Sequence, residues 1–238
     1  MHIHLVIPCF NESGNLLELH KKLCQLHLKY SKNFSKISVT LVNNGSSDRT
    51  SEILDLFQEQ WLSVLHLDSN LGYGGGIYHG IASKKDADII GYTHADHQTH
   101  PQDFFEAALK IQDENISFVK GKRYGRPIID RFFTFGMSLI SSFVLRGVYY
   151  DINAQPTVFP SSFLNQIVEP PTDFSFDLFL YFLAKKRGIK IYRINVHFGP
   201  RFSGVSSWNK GIKDRYIFIK RTLKFIWQLS KRNVNSKA

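Results

Sequence analysis

Strand-like and helix-like segments alternate through the first half of this chain, and almost every strand-like run stops at a polar cluster. Residues 4–9 read as a strand, followed by a helix over about 13–30. Residues 37–43 form a second strand, after which Gly45-Ser46-Ser47-Asp48 turns the chain and caps a helix reaching about residue 60. Residues 62–67, 88–93 and 116–120 supply three more strands. A glycine-rich loop and a helix to about 85 lie between the first two of these. A helix from Pro101 to about 112 lies between the last two. This order predicts an α/β fold, Rossmann-like, with a mostly parallel sheet flanked by helices. Ligands on such sheets bind beyond the carboxyl ends of the strands. Asn11-Glu12, Asn43-Asn44, the stretch from Asn70 to Gly76, and the stretch from His94 to Gln98 all fall at that end. Their convergence points to one site.

The second half changes character. Residues 131–146 are rich in Phe and aliphatic side chains, too short to span a bilayer but apolar enough to lie in its interface. A helix over 173–187 stops at Gly188, and a strand follows over 190–196. The last helix, over 210–231, carries Ile212, Tyr216, Ile219, Leu223 and Ile226 on one stripe. Of the net charge of +10, residues 210–238 hold eight, so the body is nearly neutral and the tail is cationic. The chain therefore divides into a main domain, 1–209, and a basic amphipathic extension, 210–238, suited to an anionic membrane surface. A phosphate-rich nucleic acid fits the charge as well but is the disfavoured partner. No run of 18 apolar residues and no signal peptide are visible. Cys9 and Cys24 show no metal-ligand spacing and imply a reducing compartment. The expected location is cytoplasmic, peripheral on the inner membrane.

Tyr92-Thr93-His94-Ala95-Asp96-His97-Gln98 closes the fourth strand. Alternation sends His94, Asp96 and Gln98 to one side. Carboxylate and amide oxygens suit a hard divalent cation, and the imidazole tilts the choice from Mg²⁺ toward Mn²⁺. Without other evidence, the segment also reads as a polar loop at a strand end.

The segment resembles the D-x-D-x-Q element of family 2 glycosyltransferases, with His94 in place of the first Asp. Further motifs along the chain resemble that family. Pro8-Cys9-Phe10-Asn11-Glu12 resembles its P-x-Y-N-E opening. Asn43-Asn44-Gly45-Ser46-Ser47-Asp48 resembles its D-D-G-S-x-D element, with both leading acids replaced by Asn. Asn70-Leu71-Gly72, leading to Gly76, resembles its N-x-G loop. A dinucleotide fingerprint is excluded there, because His79 stands where Gly is needed. Lys120-Gly121-Lys122-Arg123 resembles the family's G-S-R. Arg201 to Ser206 resembles the R-x-x-G-x-S motif of polyprenyl-phosphate glycosyltransferases, the dolichol-phosphate-mannose-synthase type.

The resemblance implies a GT-A fold and inverting transfer of a sugar from a nucleotide diphospho-sugar to a polyprenyl phosphate. It places the donor at Pro8, Phe10, Asn11, Glu12, Asn43, Asn44, Asp48, Asn70, Gly72 and Gly76. It places a metal, Mg²⁺ or Mn²⁺, at His94, Asp96 and Gln98. Arg123, Arg131, Arg201 and Ser206 become phosphate or acceptor ligands. Asp177 and Asp151 become candidate bases should the acceptor be a hydroxyl, beside Asp96 and Arg123 in the catalytic set. Two other readings stay open at this point: a transferase acting on a lipopolysaccharide or cell-surface glycan, and a non-catalytic nucleotide-sugar or nucleic-acid binder.

Overall fold

The computed structural model describes residues 1–114, 116–203 and 212–234. Seven strands form one sheet: β1 (His2–Cys9), β2 (Lys36–Asn44), β3 (Leu62–Leu67), β4 (Ile89–Tyr92), β5 (Val119–Tyr124), β6 (Thr157–Pro160) and β7 (Tyr192–His197). Their order is β3-β2-β1-β4-β6-β5-β7. The first four strands pair in parallel, as the alternation predicts, and β5 pairs in parallel with β7. β6 runs antiparallel between β4 and β5, so the sheet is mixed. The sequence reading missed β6 because four residues, ending in Pro160, carry no readable period.

The α-helices among the described residues are α1 (Leu16–Tyr30), α2 (Thr50–Leu54), α3 (Gly72–Ala82), α4 (Gln102–Glu114), α5 (Ile128–Val144), α6 (Ser175–Lys186) and α7 (Ile212–Val234). Alternation along β1 sorts the two faces. Ile3, Leu5, Ile7 and Cys9 pack with α1, α2 and α4, whereas Val6 packs with α3 and α6. Both layers are fully buried, as parallel strands covered on both faces require.

Three sequence expectations are corrected. The helix after β2 ends at Leu54 rather than near 60, and an irregular stretch leads into β3. The glycine-rich segment is itself the first two turns of α3. A Cβ on Gly80 would come within 2.7 Å of Val42, and one on Gly76 within 2.9 Å of Asn44. These two glycines let α3 lie against the sheet, while Gly72 and Gly74 admit the backbone of Thr172 and Pro171. The last helix is not a free extension. α7 packs against α5 and α6, burying Ile226 and Leu229 while Leu223 and Trp227 stay exposed. The side chains of Ile212 and Tyr216 in the expected stripe lie outside the described residues. Among the described residues no helix is long and apolar enough to cross a membrane.

Candidate active site

The loops after β1, β2 and β3 meet in one rim. Asn11 takes a left-handed backbone, φ 56°, and its Oδ1 accepts from the Ser47 amide at 2.8 Å. Asp48 caps the start of α2 through Thr50 and also accepts from the Ser13 amide at 3.2 Å. The Glu12 amide donates to the Thr50 hydroxyl at 2.9 Å. Asn43 accepts from the Ser46 amide and meets His66 Nδ1 at 3.1 Å. Asn44 accepts from the Leu71 amide at 3.0 Å and donates to the Gly72 carbonyl at 2.9 Å. Pro8 stands near the end of β1, and Phe10 and Asn70 on the loops, all partly or fully exposed. Asn43 and Asn44 are buried, with their amides spent on neighbouring loops. An Asp at position 44 would lose the donated bond to Gly72, which is a reason in this fold for Asn there.

Beyond β4 the chain opens onto a cavity of about 480 Å³. His94, Asp96 and Gln98 all line it, whereas His97 turns away to the Asn15 carbonyl and Lys22. β4 ends at Tyr92 and His97 takes a left-handed backbone, φ 60°, so a bent loop rather than strand alternation brings these three side chains to the cavity. Asp96 is nearly inaccessible and its Oδ2 pairs with Arg201 at 2.9 Å. The other arm of Arg201 lies 3.8 Å from Glu12. Burial lifts the Glu12 carboxyl to about 7. Asp96 adds to the rise, while Asn15 and Arg201 oppose it. Burial lowers the pKa of His94 against the pull of Asp96 and Asp177, leaving its imidazole neutral at pH 7. One carboxylate, one neutral imidazole and one amide fit a divalent cation of the Mg²⁺ or Mn²⁺ kind. Arg201 holds the Asp96 carboxylate in this structure, so an ion would have to displace or share it with the guanidinium. Such an ion would supply charge compensation for a diphosphate.

The remaining predicted residues divide. Arg123 donates to Asp151 through its backbone amide at 2.8 Å and its Nε at 2.9 Å, and it stacks near Phe198. Burial opposes ionisation of Asp151, but Arg123 and its hydrogen bonds outweigh it and hold the carboxyl below the usual range. Asp151 is therefore a poor base, and its work is to orient Arg123. Asp177 is also corrected. It is fully buried and does not open onto the cavity. Tyr92 donates to it at 2.7 Å, Tyr73 at 2.8 Å and Lys120 at 3.3 Å. Lys120 also donates to Thr157 at 2.7 Å, and burial brings its pKa down to about 8 despite Asp177. Sequence reasoning missed Lys120, although a lysine following Phe118-Val119 in a strand was the available signal. Arg131 lies exposed on α5, away from the cavity lining, and Ser206 lies outside the described residues. Arg126, a phosphate-ligand candidate in the sequence together with Arg123 and Arg131, does line the cavity, as does Tyr73.

The cavity also has an apolar share. Phe132, Phe133, Met137 and Ile140 come from α5, Leu178 from α6 and Ile219 from α7. Asp96 is the only carboxylate among the described lining residues.

The sheet order and a carboxyl-end cavity define a GT-A-like fold of the glycosyltransferase kind. Residues 4–166 match the family model for glycosyl transferase family 2, and the chain belongs to that family. Glucosyl-3-phosphoglycerate synthase from Mycobacterium tuberculosis has a similar structure. Its complex with Mn²⁺, UDP and glucosyl-3-phosphoglycerate superposes with a TM-score of 0.67 at 16% identity, covering 95% of this chain and 80% of that one. Its complex with Mn²⁺ and UDP-glucose gives 0.65 at 16%, covering 91% and 76%. Its complex with Mg²⁺ and UDP gives 0.65 at 15%, covering 95% and 79%. No curated protein sequence matches the chain significantly.

Proposed function

We propose that this glycosyltransferase moves a sugar, with inversion, from a nucleotide diphospho-sugar to a polyprenyl phosphate, using Mn²⁺ or Mg²⁺. The observation that carries the acceptor class is the cavity's two-part lining. Arg123, Arg126 and Arg201 line it together with aromatic and aliphatic side chains from α5, α6 and α7. A phosphate headgroup on a hydrocarbon chain matches both parts at once. The similar synthase, crystallised with Mn²⁺ and UDP-glucose, supports the donor and metal classes.

In this reading the loops after β1, β2 and β3 hold the nucleotide, with Pro8, Phe10, Asn11, Glu12, Asn43, Asn44, Asp48, Asn70, Gly72 and Gly76 on that rim. His94, Asp96 and Gln98 hold the metal, which offsets the diphosphate charge. Arg123, fixed by Asp151, and Arg201 orient phosphate groups. An acceptor phosphate oxygen attacks the anomeric carbon as the bond to the nucleoside diphosphate breaks. A phosphate monoester is largely ionised at pH 7. It needs no general base, consistent with Asp151 and Asp177 being committed elsewhere. The apolar face of α5, including Phe132, Phe135 and Phe143, would rest in the membrane beside the acceptor. Cationic residues 220, 221, 224 and 231 on α7 favour an anionic lipid surface.

A small phosphorylated acceptor is the second reading, favoured by the arginines alone and by the phosphoglycerate bound in the similar enzyme. Purified protein with a panel of labelled nucleotide-sugars and either polyprenyl phosphate or 3-phosphoglycerate distinguishes them. Label entering the organic phase supports the lipid acceptor. Label transferred only to water-soluble product overturns it.

A further inference from the structure

A second cluster of metal-binding side chains lies away from the cavity. His20 and Cys24 are one turn apart on α1, so both face the same way. Glu59 comes from the irregular stretch that leads into β3 at the amino-terminal end of that strand. The donor rim occupies the carboxyl end of the sheet, so the two sites are separate. His20 Nε2 lies 3.6 Å from Cys24 Sγ, and Cys24 Sγ lies 3.8 Å from Glu59 Oε1. Ligand atoms around a tetrahedral zinc ion, with bonds of about 2.0 to 2.3 Å, stand roughly 3.4 to 3.8 Å apart. Two edges of the triangle already have that length. The third, His20 Nε2 to Glu59 Oε1, is a hydrogen bond of 2.7 Å that lengthens when an ion enters.

Three further observations favour a ligand over a simple hydrogen-bonded pair. The His20 ring stacks on Phe57 at 4.0 Å and 9°, which fixes its plane. Glu59 Oε2 is buried and has no hydrogen-bond partner. All three residues keep partial exposure, which leaves an entry path. We propose that His20, Cys24 and Glu59 form a zinc site that ties α1 to the chain entering β3, with water in the fourth position. Thiolate and imidazole select a borderline ion such as Zn²⁺, whereas the oxygen-rich cavity site suits Mn²⁺ or Mg²⁺. Binding releases the Cys24 thiol proton to solvent, since the thiolate is the ligand.

Metal-free full-length protein titrated with Co²⁺ tests the assignment. A thiolate-to-cobalt charge-transfer band is expected in wild type and in Asp96→Ala, and absent in Cys24→Ser. Zn²⁺ displaces the cobalt. Zinc affinity falls at least about tenfold in His20→Ala and Glu59→Gln. Zn²⁺ raises the thermal midpoint of wild type and not of Cys24→Ser. Wild type alone gives a further readout that needs no variant to fold. Cys9 is fully buried, so Cys24 is the thiol that alkylates first, and Zn²⁺ slows that reaction until a chelator restores it. A cobalt spectrum without the thiolate band, or alkylation unaffected by Zn²⁺, overturns the site.

Discussion

Two acid–base pairs sit near the same end of one sheet, and they differ in access. Asp177 and Lys120 are both sealed, with no exposed side-chain surface. Asp96 is almost as buried, but its partner Arg201 keeps 24% of its side chain open to the cavity. The sealed pair joins α6 to β5 and, through Tyr73, Tyr92 and Thr157, to α3, β4 and β6. Every lobe of its carboxylate is turned inward. The open pair keeps an arginine that can exchange one anion for another. Burial alone therefore does not mark a working carboxylate; what matters is whether its partner can leave.

The largest expected effect tests the sealed pair. Asp177→Ala strands a buried ammonium group and should cost about 3 to 5 kcal/mol of stability. Urea unfolding measures it. Lys120→Met combined with Asp177→Asn should recover much of that loss, because no charge is then left unpaired. A loss under about 1 kcal/mol in the single variant would remove the contrast between the pairs.

Asp96→Ala tests the open pair in the other currency. Unfolding should change by about 1 kcal/mol or less, since Arg201 can turn to solvent. Donor turnover with Mn²⁺ should fall by about a hundredfold to a thousandfold. Full turnover in this variant would mean that the cavity carboxylate is not the metal ligand.

The next effect belongs to the exposed face of α5. Phe132→Ser with Phe143→Ser removes two exposed rings from α5, each worth about 2 kcal/mol when transferred to lipid. Flotation with anionic vesicles should weaken markedly, while the thermal midpoint stays close to wild type. Unchanged flotation would leave α5 without a membrane role.

The smallest effect concerns Glu12, on the far arm of Arg201. Its carboxyl titrates near 7 in the folded chain, above its ordinary value of 4.5. The folded state thus holds a proton that the unfolded state has released between those values. Stability from this group is present below about 4.5 and lost as pH rises through 7. Glu12→Gln should flatten that part of the stability profile. An unchanged slope between pH 4.5 and 7 would show that Arg201 already offsets the burial of Glu12.

The strands were legible because their periods are local. β3 was read at its observed bounds, and β1, β2 and β4 within two residues. His94, Asp96 and Gln98 do line one cavity, but they follow the end of β4 on a bent loop, so the alternation expected of a strand is not what brings them there. The glycine segment was misread as a loop because its glycines face distant parts of the chain, Asn44 and Val42 on β2 and the backbone of Pro171 and Thr172.

The sequence by itself determined the alternating layers, the end of the sheet that carries polar groups and the family resemblance in four ordered motifs. Those follow from local spacing and residue chemistry. Only the tertiary structure decided which charges are spent. Asp151 holds Arg123 across 28 positions, and Asp177 meets Lys120 across 57. Burial and partner choice are set by side chains brought together from separate strands and helices. Such a pairing sets whether a carboxylate acts as a base, a ligand or a brace, and no local pattern in the chain encodes it.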